Sequence, residues 1–433
     1  MVGMTFENGS SSSGSDAEED LQAQVLLGRL RAQGVASAAV GESVLARAAS
    51  AASGSGRRIV RVSGSTPGDL VVLGWDAETA PVAGISVAGW QVGLPPVATL
   101  VWAACLRAAW PRPEVLPFPG VAFLRADVVS LCCRLGADED AVERTVDGVL
   151  QTARLLVSQG DVLRLGPAVA ALPAVVVEGL RRGHHLLPAM HAEGLDSGEA
   201  GGEKAVAPAR EVGGGDRLVD GGADGYLVRS VIAALESARR PLPRASLPML
   251  ADPALRARVG RALERGGRQL LQTEQGNWVT GFRDPVSDAL VAEGTGTLGD
   301  VDRAVLALVL LHTVALPRAQ GRHRHSRWTG ETHTVTLAVL ASNRKISKVA
   351  ISAALRRLRA AGMVAEATTG RYLPGPALDR LTAERSNLLW EDLILVGRPD
   401  GHLAAAIRRR RQLADSPVSP SVAASGGAGK DLV

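Results

Sequence analysis

Apolar residues recur at helical spacing along most of the chain and alternate at strand spacing only in short runs. Residues 21–52 read as helix interrupted at Gly34 and Gly41, followed by strand-like runs at 58–62 and 70–73 around a Gly-Ser-Thr-Pro-Gly cluster. Residues 95–188 open with an apolar helix at 99–110 and pass Pro111, Pro113, Pro117 and Pro119. Helices at 126–135 and 138–156, a hairpin around Asp161 and a last helix follow. Residues 225–292 carry a helix to Ala238, a short one at 245–250 and another at 253–265, where Pro253 suits a first helical turn. Strands at 269–273 and 277–280 then flank a Glu-Gln-Gly turn. Residues 298–390 open with a helix at 301–314 and hold a second strong helix at 347–361, ended by Gly362. The predicted class is mainly α with short β-hairpins (α+β), in modules joined by flexible linkers.

The remaining segments are read as connections. Residues 1–19 are expected to be a disordered acidic tail, and 20–94 an N-terminal α/β region. Residues 189–224 collapse into Gly, Glu, Asp and Ala, the composition of a linker. A C-terminal basic helix is expected at 391–414, carrying Arg408–Arg411, with a disordered tail at 415–433.

Two of these stretches repeat one another. Laying Val142 on Ile351 brings Val146 onto Leu355 and Val149 onto Leu358 without a gap, one helical face in both copies. Further on, Gly166-Pro167-Ala168 falls on Gly375-Pro376-Ala377, and Leu172 on Leu381.

The stretch from Ser342 to Val364, followed by Gly370-Arg-Tyr-Leu-Pro-Gly-Pro, resembles the helix-turn-helix and wing of the winged-helix superfamily. A "Leu-x-x-Leu-x-x-x-Gly-Met-Val" phrase is formed by Leu355, Leu358, Gly362, Met363 and Val364. The resemblance implies tandem winged-helix modules at 95–188, 225–292 and 298–390, with 20–94 a possible degenerate copy. In that family the third helix of each module is the one that enters the DNA major groove.

Charge separates these helices. Arg344, Lys345, Lys348, Arg356, Arg357, Arg359 and Arg371 stand against Glu366 alone. Lys345, Lys348, Ser352, Arg356 and Arg359 form a stripe beside the apolar face, with Ser347 at its start. Arg344, Lys345, Ser347, Lys348, Ser352, Arg356, Arg359 and Arg371 are therefore candidate DNA contacts. Arg256, Arg258 and Arg261, with Arg265 and Arg268 nearby, make the 253–265 helix a second basic candidate. In the 95–188 module the matching positions are Glu139, Glu143 and Asp147, which would repel phosphates and are candidates for a protein contact instead.

Composition narrows the alternatives. The chain has 433 residues, 46% hydrophobic and only 3% aromatic, so its cores must be packed mainly with Ala, Val and Leu. A net charge of +4 hides the local segregation just described. Cys105, Cys132 and Cys133 match neither a disulfide framework nor a zinc pattern, which fits a reducing compartment. No apolar run reaches membrane-spanning length, so no membrane partner is expected. His323, His325 and His333 lie among arginines that would repel a divalent ion, so no metal and no cofactor is expected. The phosphate-binding G-x-x-x-x-G-K-[ST] loop and the G-x-S-x-G elbow are both missing, and no catalytic residue is nominated.

The expected function is therefore non-enzymatic: a cytoplasmic, nucleoid-associated protein that binds double-stranded DNA as a transcription regulator or architectural factor, with a homodimer possible. The alternatives are an adaptor resembling the "kite" subunits that bind kleisin or SMC-type ATPases in chromosome organisation, and a plasmid or phage replication initiator.

Overall fold

The computed structural model describes residues 12–62, 69–76, 95–189, 210–212, 223–321, 328, 333–342 and 345–415. The chain is mainly helical, with small antiparallel sheets. The first module comprises α1 (Ser12–Gln33), β1 (Val35–Ser37), α2 (Glu42–Gly54), β2 (Arg57–Val62) and β3 (Leu70–Trp75). The second comprises α3 (Pro96–Ala109), β4 (Phe123–Leu124), α4 (Arg125–Arg134) and α5 (Glu139–Arg144), which continues into a π-helical turn at Thr145–Leu150. A hairpin of β5 (Leu156–Gln159) and β6 (Val162–Leu165), a 3-10 turn at Pro167–Ala171 and α6 (Ala174–Arg182) complete it.

A short strand, β7 (Arg210–Glu211), pairs with β2, so part of the expected 189–224 linker is ordered. The third module comprises α7 (Ala223–Ser237), 3-10 turns at Arg244–Ser246 and Pro248–Ala251, α8 (Pro253–Arg265), β8 (Arg268–Gln272), β9 (Trp278–Phe282) and α9 (Asp284–Ala292). The fourth opens with α10 (Asp300–Leu310), a π turn at Leu311–Ala315 and α11 (Leu316–Ala319). β10 (Val335–Thr336), α12 (Leu337–Ala341), α13 (Lys348–Ala360), β11 (Val364–Thr368) and β12 (Arg371–Pro374) follow. The chain then passes a 3-10 turn at Pro376–Arg380 into α14 (Ala383–Gly397) and α15 (His402–Asp415).

The modules share one strand order. The strand after the first helix pairs with the returning strand of the hairpin: β1-β3-β2, β4-β6-β5 and β10-β12-β11. In the third module a single bridge from Leu242 to Trp278 takes the place of that strand. In the second, third and fourth modules, the helix before the hairpin starts where a side chain satisfies orphan backbone donors of its first turn. Asp138 accepts from the N–H of Ala141, Ser347 from Ala350, and Asp252 from Ala254 and Leu255.

The repeat is real, but its register is not the gapless one. Val142 and Val146 are buried like Ile351 and Leu355, yet Val149 is 41% exposed and Leu150 fills the slot matching Leu358. The π turn inserts one residue into α5 and rotates Val149 outward. One residue is regained where β11 bulges between Glu366 and Thr368. Arg154, at φ 57°, stands where the fourth module has Gly362 at φ 71°. A non-glycine residue there carries a strain cost of about 1–2 kcal/mol.

The first and third modules match as well. Ala23, Leu26, Leu27 and Leu30 of α1 are buried like Val228, Val231, Ile232 and Leu235 of α7. Val44, Ala48, Ala51 and Ala52 of α2 are buried like Leu255, Val259, Ala262 and Leu263 of α8. Gly56 and Gly267 both take positive φ, and each accepts a matching backbone bond, from Asp76 and from Arg283. Equivalent residues of the two modules also meet: Arg31 pairs with Glu236, and Arg265 reaches to 3.4 Å from where a Cβ on Gly54 would stand. Contact between equivalents marks a local twofold relation.

Charge sits on that axis. The Glu236 carboxylate is buried and pairs with Arg31 at 2.9 Å and Arg57 at 3.0 Å. Arg57 lies over the Trp75 ring and Arg268 over Phe282, at equivalent positions. Burial alone would raise the Glu236 pKa, but Arg31, Arg268 and Arg57 together pull it down to about 2. Arg268, counted from sequence with the basic charge beside the 253–265 helix, is instead buried and donates to the Thr280 carbonyl at 3.2 Å. Its position opposite Phe282 on β8 turns it inward.

Two compact units result. One extends to Gly299 and takes in Pro376–Thr382; the other comprises Asp300–Gly375 and the chain from Ala383. The 3-10 turn at Pro376–Arg380 therefore leaves the expected 298–390 module. Gly281 has no Cβ to block the Arg380 carbonyl, which lies 2.0 Å from where one would stand, and Thr382 donates to Asp284 at 2.9 Å. Gly74 of β3 likewise admits the Ala171 carbonyl, 2.5 Å from a Cβ position.

Two expected tails also change. Residues 12–19 belong to α1, where Asp16, Glu19 and Asp20 all hold Arg47 of α2. The single helix expected at 391–414 is the end of α14 and all of α15, separated where Gly397, Pro399 and Gly401 break the helix. Most of 1–19 and of 415–433 lies outside the described residues.

Candidate nucleic-acid interface

The α13 helix is anchored by Ile351, Ala354, Leu355 and Leu358, all nearly fully buried. Each large apolar side chain buried there contributes about 1.5–3 kcal/mol, so the helix cannot roll without losing its core. The opposite face is fixed outward as a consequence. Lys348 and Arg356 are exposed on it, Ser352 is half-buried between them, and Lys345 is exposed just before the helix. Among the described residues, Lys345, Lys348 and Arg356 form no ion pair. Arg371, at the start of β12 beside the hairpin turn, is exposed and, among the described residues, reaches the Thr334 hydroxyl at 3.4 Å.

The other cations of the segment are already used. Arg357 grips Asp302 of α10 with two nitrogens, at 2.7 and 2.9 Å. That hydrogen bond raises the Arg357 pKa and lowers that of Asp302. Arg359 pairs with Glu366 of β11 at 2.7 Å, and Glu366 also accepts the Gly370 N–H. The predicted stripe is thereby reduced to Lys345, Lys348, Ser352 and Arg356, with Arg359 turned toward the hairpin. Ser347 spends its hydroxyl oxygen on the helix cap. Arg344, His323 and His325 lie outside the described residues.

The matching face of the second module is acidic but partly neutralised. Arg125, in the first turn of α4, pairs with Glu143 at 2.7 Å and with Asp147 at 2.7 Å, and also reaches the Ser158 hydroxyl. Its hydrogen bond to Asp147 lowers that carboxyl's pKa. Glu139 remains exposed with Asp140 beside it. Among the described residues, the candidate protein-contact stripe thus keeps one of its three carboxylates, Glu139, free of an internal ion pair.

On α8 only Arg261 of the nominated arginines is exposed. Arg256 is half-buried and donates to the Leu250 carbonyl at 3.3 Å, and Arg258 is half-buried as well. Trp278 of β9 is buried at the Leu242 bridge. Sequence reasoning missed Arg125, Asp302 and Glu366 as partners. The one available signal was a lone arginine opening a helix close to an acidic run.

No protein-family model matches the chain, and comparison with curated proteins finds no similar protein. Among the described residues, no helix is long and apolar enough to cross a membrane.

Proposed function

We propose that the chain is a non-enzymatic, DNA-binding protein of tandem winged-helix modules, a transcription regulator or architectural factor that meets the duplex through α13. The observation that carries this reading is the outward placement of Lys345, Lys348 and Arg356 on a helix locked from behind by Ile351, Leu355 and Leu358. The repeated strand order supports the winged-helix reading. Cations free of internal carboxylates can exchange their counterions for phosphates, which gives affinity without sequence preference. Arg371 on the hairpin supplies a contact to one side, and Arg261 of α8 a further exposed cation.

The test is binding of a labelled duplex to the full chain and to a Lys348→Glu, Arg356→Glu variant, followed by fluorescence anisotropy. Both side chains are exposed, so folding should be retained. The reading expects binding by the parent and its loss in the variant; equal binding by both would overturn it.

A second reading, an adaptor related to the kite subunits of SMC-type complexes, is favoured by one observation. Pairing of the first and third modules about a twofold axis reproduces within one chain what separate chains achieve by dimerising. Under that reading a kleisin-type or SMC-type polypeptide, not DNA, occupies the exposed surfaces, and the duplex assay returns no binding.

A further inference from the structure

We propose that α13 senses the 5-methyl group of thymine through Val349, while Arg356 donates to guanine further along the same groove. The inference rests on α13 being the helix that faces DNA.

Val349 is 80% exposed, the most exposed of the large apolar side chains among the described residues. Isolated surface valines are ordinary, but position separates this one from the rest. It stands second in the helix, directly after Lys348, and shares an outward stripe with Ser352 and Arg356 at i+3 and i+7. The first turns of such a helix are the part that reaches base edges. In the acidic second module the equivalent residue is Asp140, so the apolar side chain belongs to the basic copy alone.

The polar groups around Val349 are donors. Lys348 and Arg356 only donate, and the Ser352 hydroxyl donates or accepts. Among the described residues, the carboxylates that meet α13 are already engaged: Glu366 by Arg359 and the Gly370 N–H, and Asp302 by Arg357. A face of this kind complements the acceptors O6 and N7 of guanine and O4 of thymine, and offers little to the amino groups of adenine and cytosine. The thymine methyl is the one apolar feature of the major-groove edge, and Val349 is the one large apolar side chain exposed on α13. Seven helical residues span about 10 Å, on the order of three base steps, so the valine and arginine address separate base pairs.

The test compares the full-length protein on a duplex of alternating T-G steps with the same duplex carrying deoxyuridine for every thymine. Removing the methyl should weaken parent binding by about fourfold, the transfer free energy of one buried methyl. Val349→Ala should bind both duplexes alike, with the salt dependence of the parent retained. A parent that binds both duplexes equally, yet with a steep salt dependence, overturns the thymine contact and leaves DNA binding by α13 standing. Discrimination that persists in Val349→Ala overturns the assignment to this residue. Absence of salt-dependent binding to either duplex overturns this inference together with the reading beneath it.

Discussion

Replacing Glu236 by Gln should loosen the contact between the first and third modules more than any surface change. The substitution keeps the volume of the side chain and removes its charge. Arg31, Arg57 and Arg268 are then left in a desolvated site with no counter-charge. A carboxyl held at about 2 instead of 4.5 favours its ionised form by roughly 3 kcal/mol. Removing one partner of a buried ion pair costs about 3–5 kcal/mol, which sets the expected range. That is a large part of the roughly 5–15 kcal/mol that holds an ordinary domain together. Hydrogen exchange over α7 and the β8–β9 hairpin reads the local opening free energy directly. Arg29→Gln is the contrast, since its pair with Glu293 is partly solvated and should contribute at most about 1 kcal/mol. The pH dependence has a definite sign. Because folding depresses the Glu236 pKa, its contribution is complete above about 4.5 and fades as pH falls toward about 2. The advantage of the parent over Glu236→Gln should shrink across that window. A Glu236→Gln protein that exchanges no faster than Arg29→Gln at neutral pH would refute the reasoning.

Two further predictions concern packing. Leu150→Ala should lower stability by about 2–5 kcal/mol in a urea titration, whereas Val149→Ala should change it by less than about 0.5 kcal/mol; the reverse order would contradict the π turn in α5. Gly281→Ala and Gly74→Ala each push a Cβ into a neighbouring carbonyl and should cost about 1–3 kcal/mol, visible as lower thermal midpoints.

The helices and hairpins were legible because each carries a local signature. Asp138, Asp252 and Ser347 begin helices, Gly362 ends one, and the apolar spacing between them has the helical period. The basic outer face of α13 was legible for the same reason. What escaped was set by features that leave no local trace. The extra residue in α5 and the bulge in β11 offset one another, so an ungapped alignment looked sound and assigned Val149 to the core. The likeness of the first and third modules was hidden because alanines in α2 stand where α8 has Val259 and Leu263, and few identities remain. Arg357, Arg359 and Arg125 read as free charge because their partners arrive from other elements through tertiary packing. Arg268 read as surface because it closes a run of arginines that begins at Arg256, whereas its own place on β8 points to the axis.

The number of phosphates that α13 and its hairpin would neutralise on a duplex tests the account most directly. If Lys345, Lys348 and Arg371 each meet a phosphate while Arg356 meets a base, the logarithm of the binding constant should fall with the logarithm of salt concentration with a slope of about −3. Arg359→Ala should leave that slope unchanged, because Arg359 is held by Glu366, and Lys348→Ala should reduce it by about 1. A slope near zero, or one that responds to Arg359 and not to Lys348, would contradict the account.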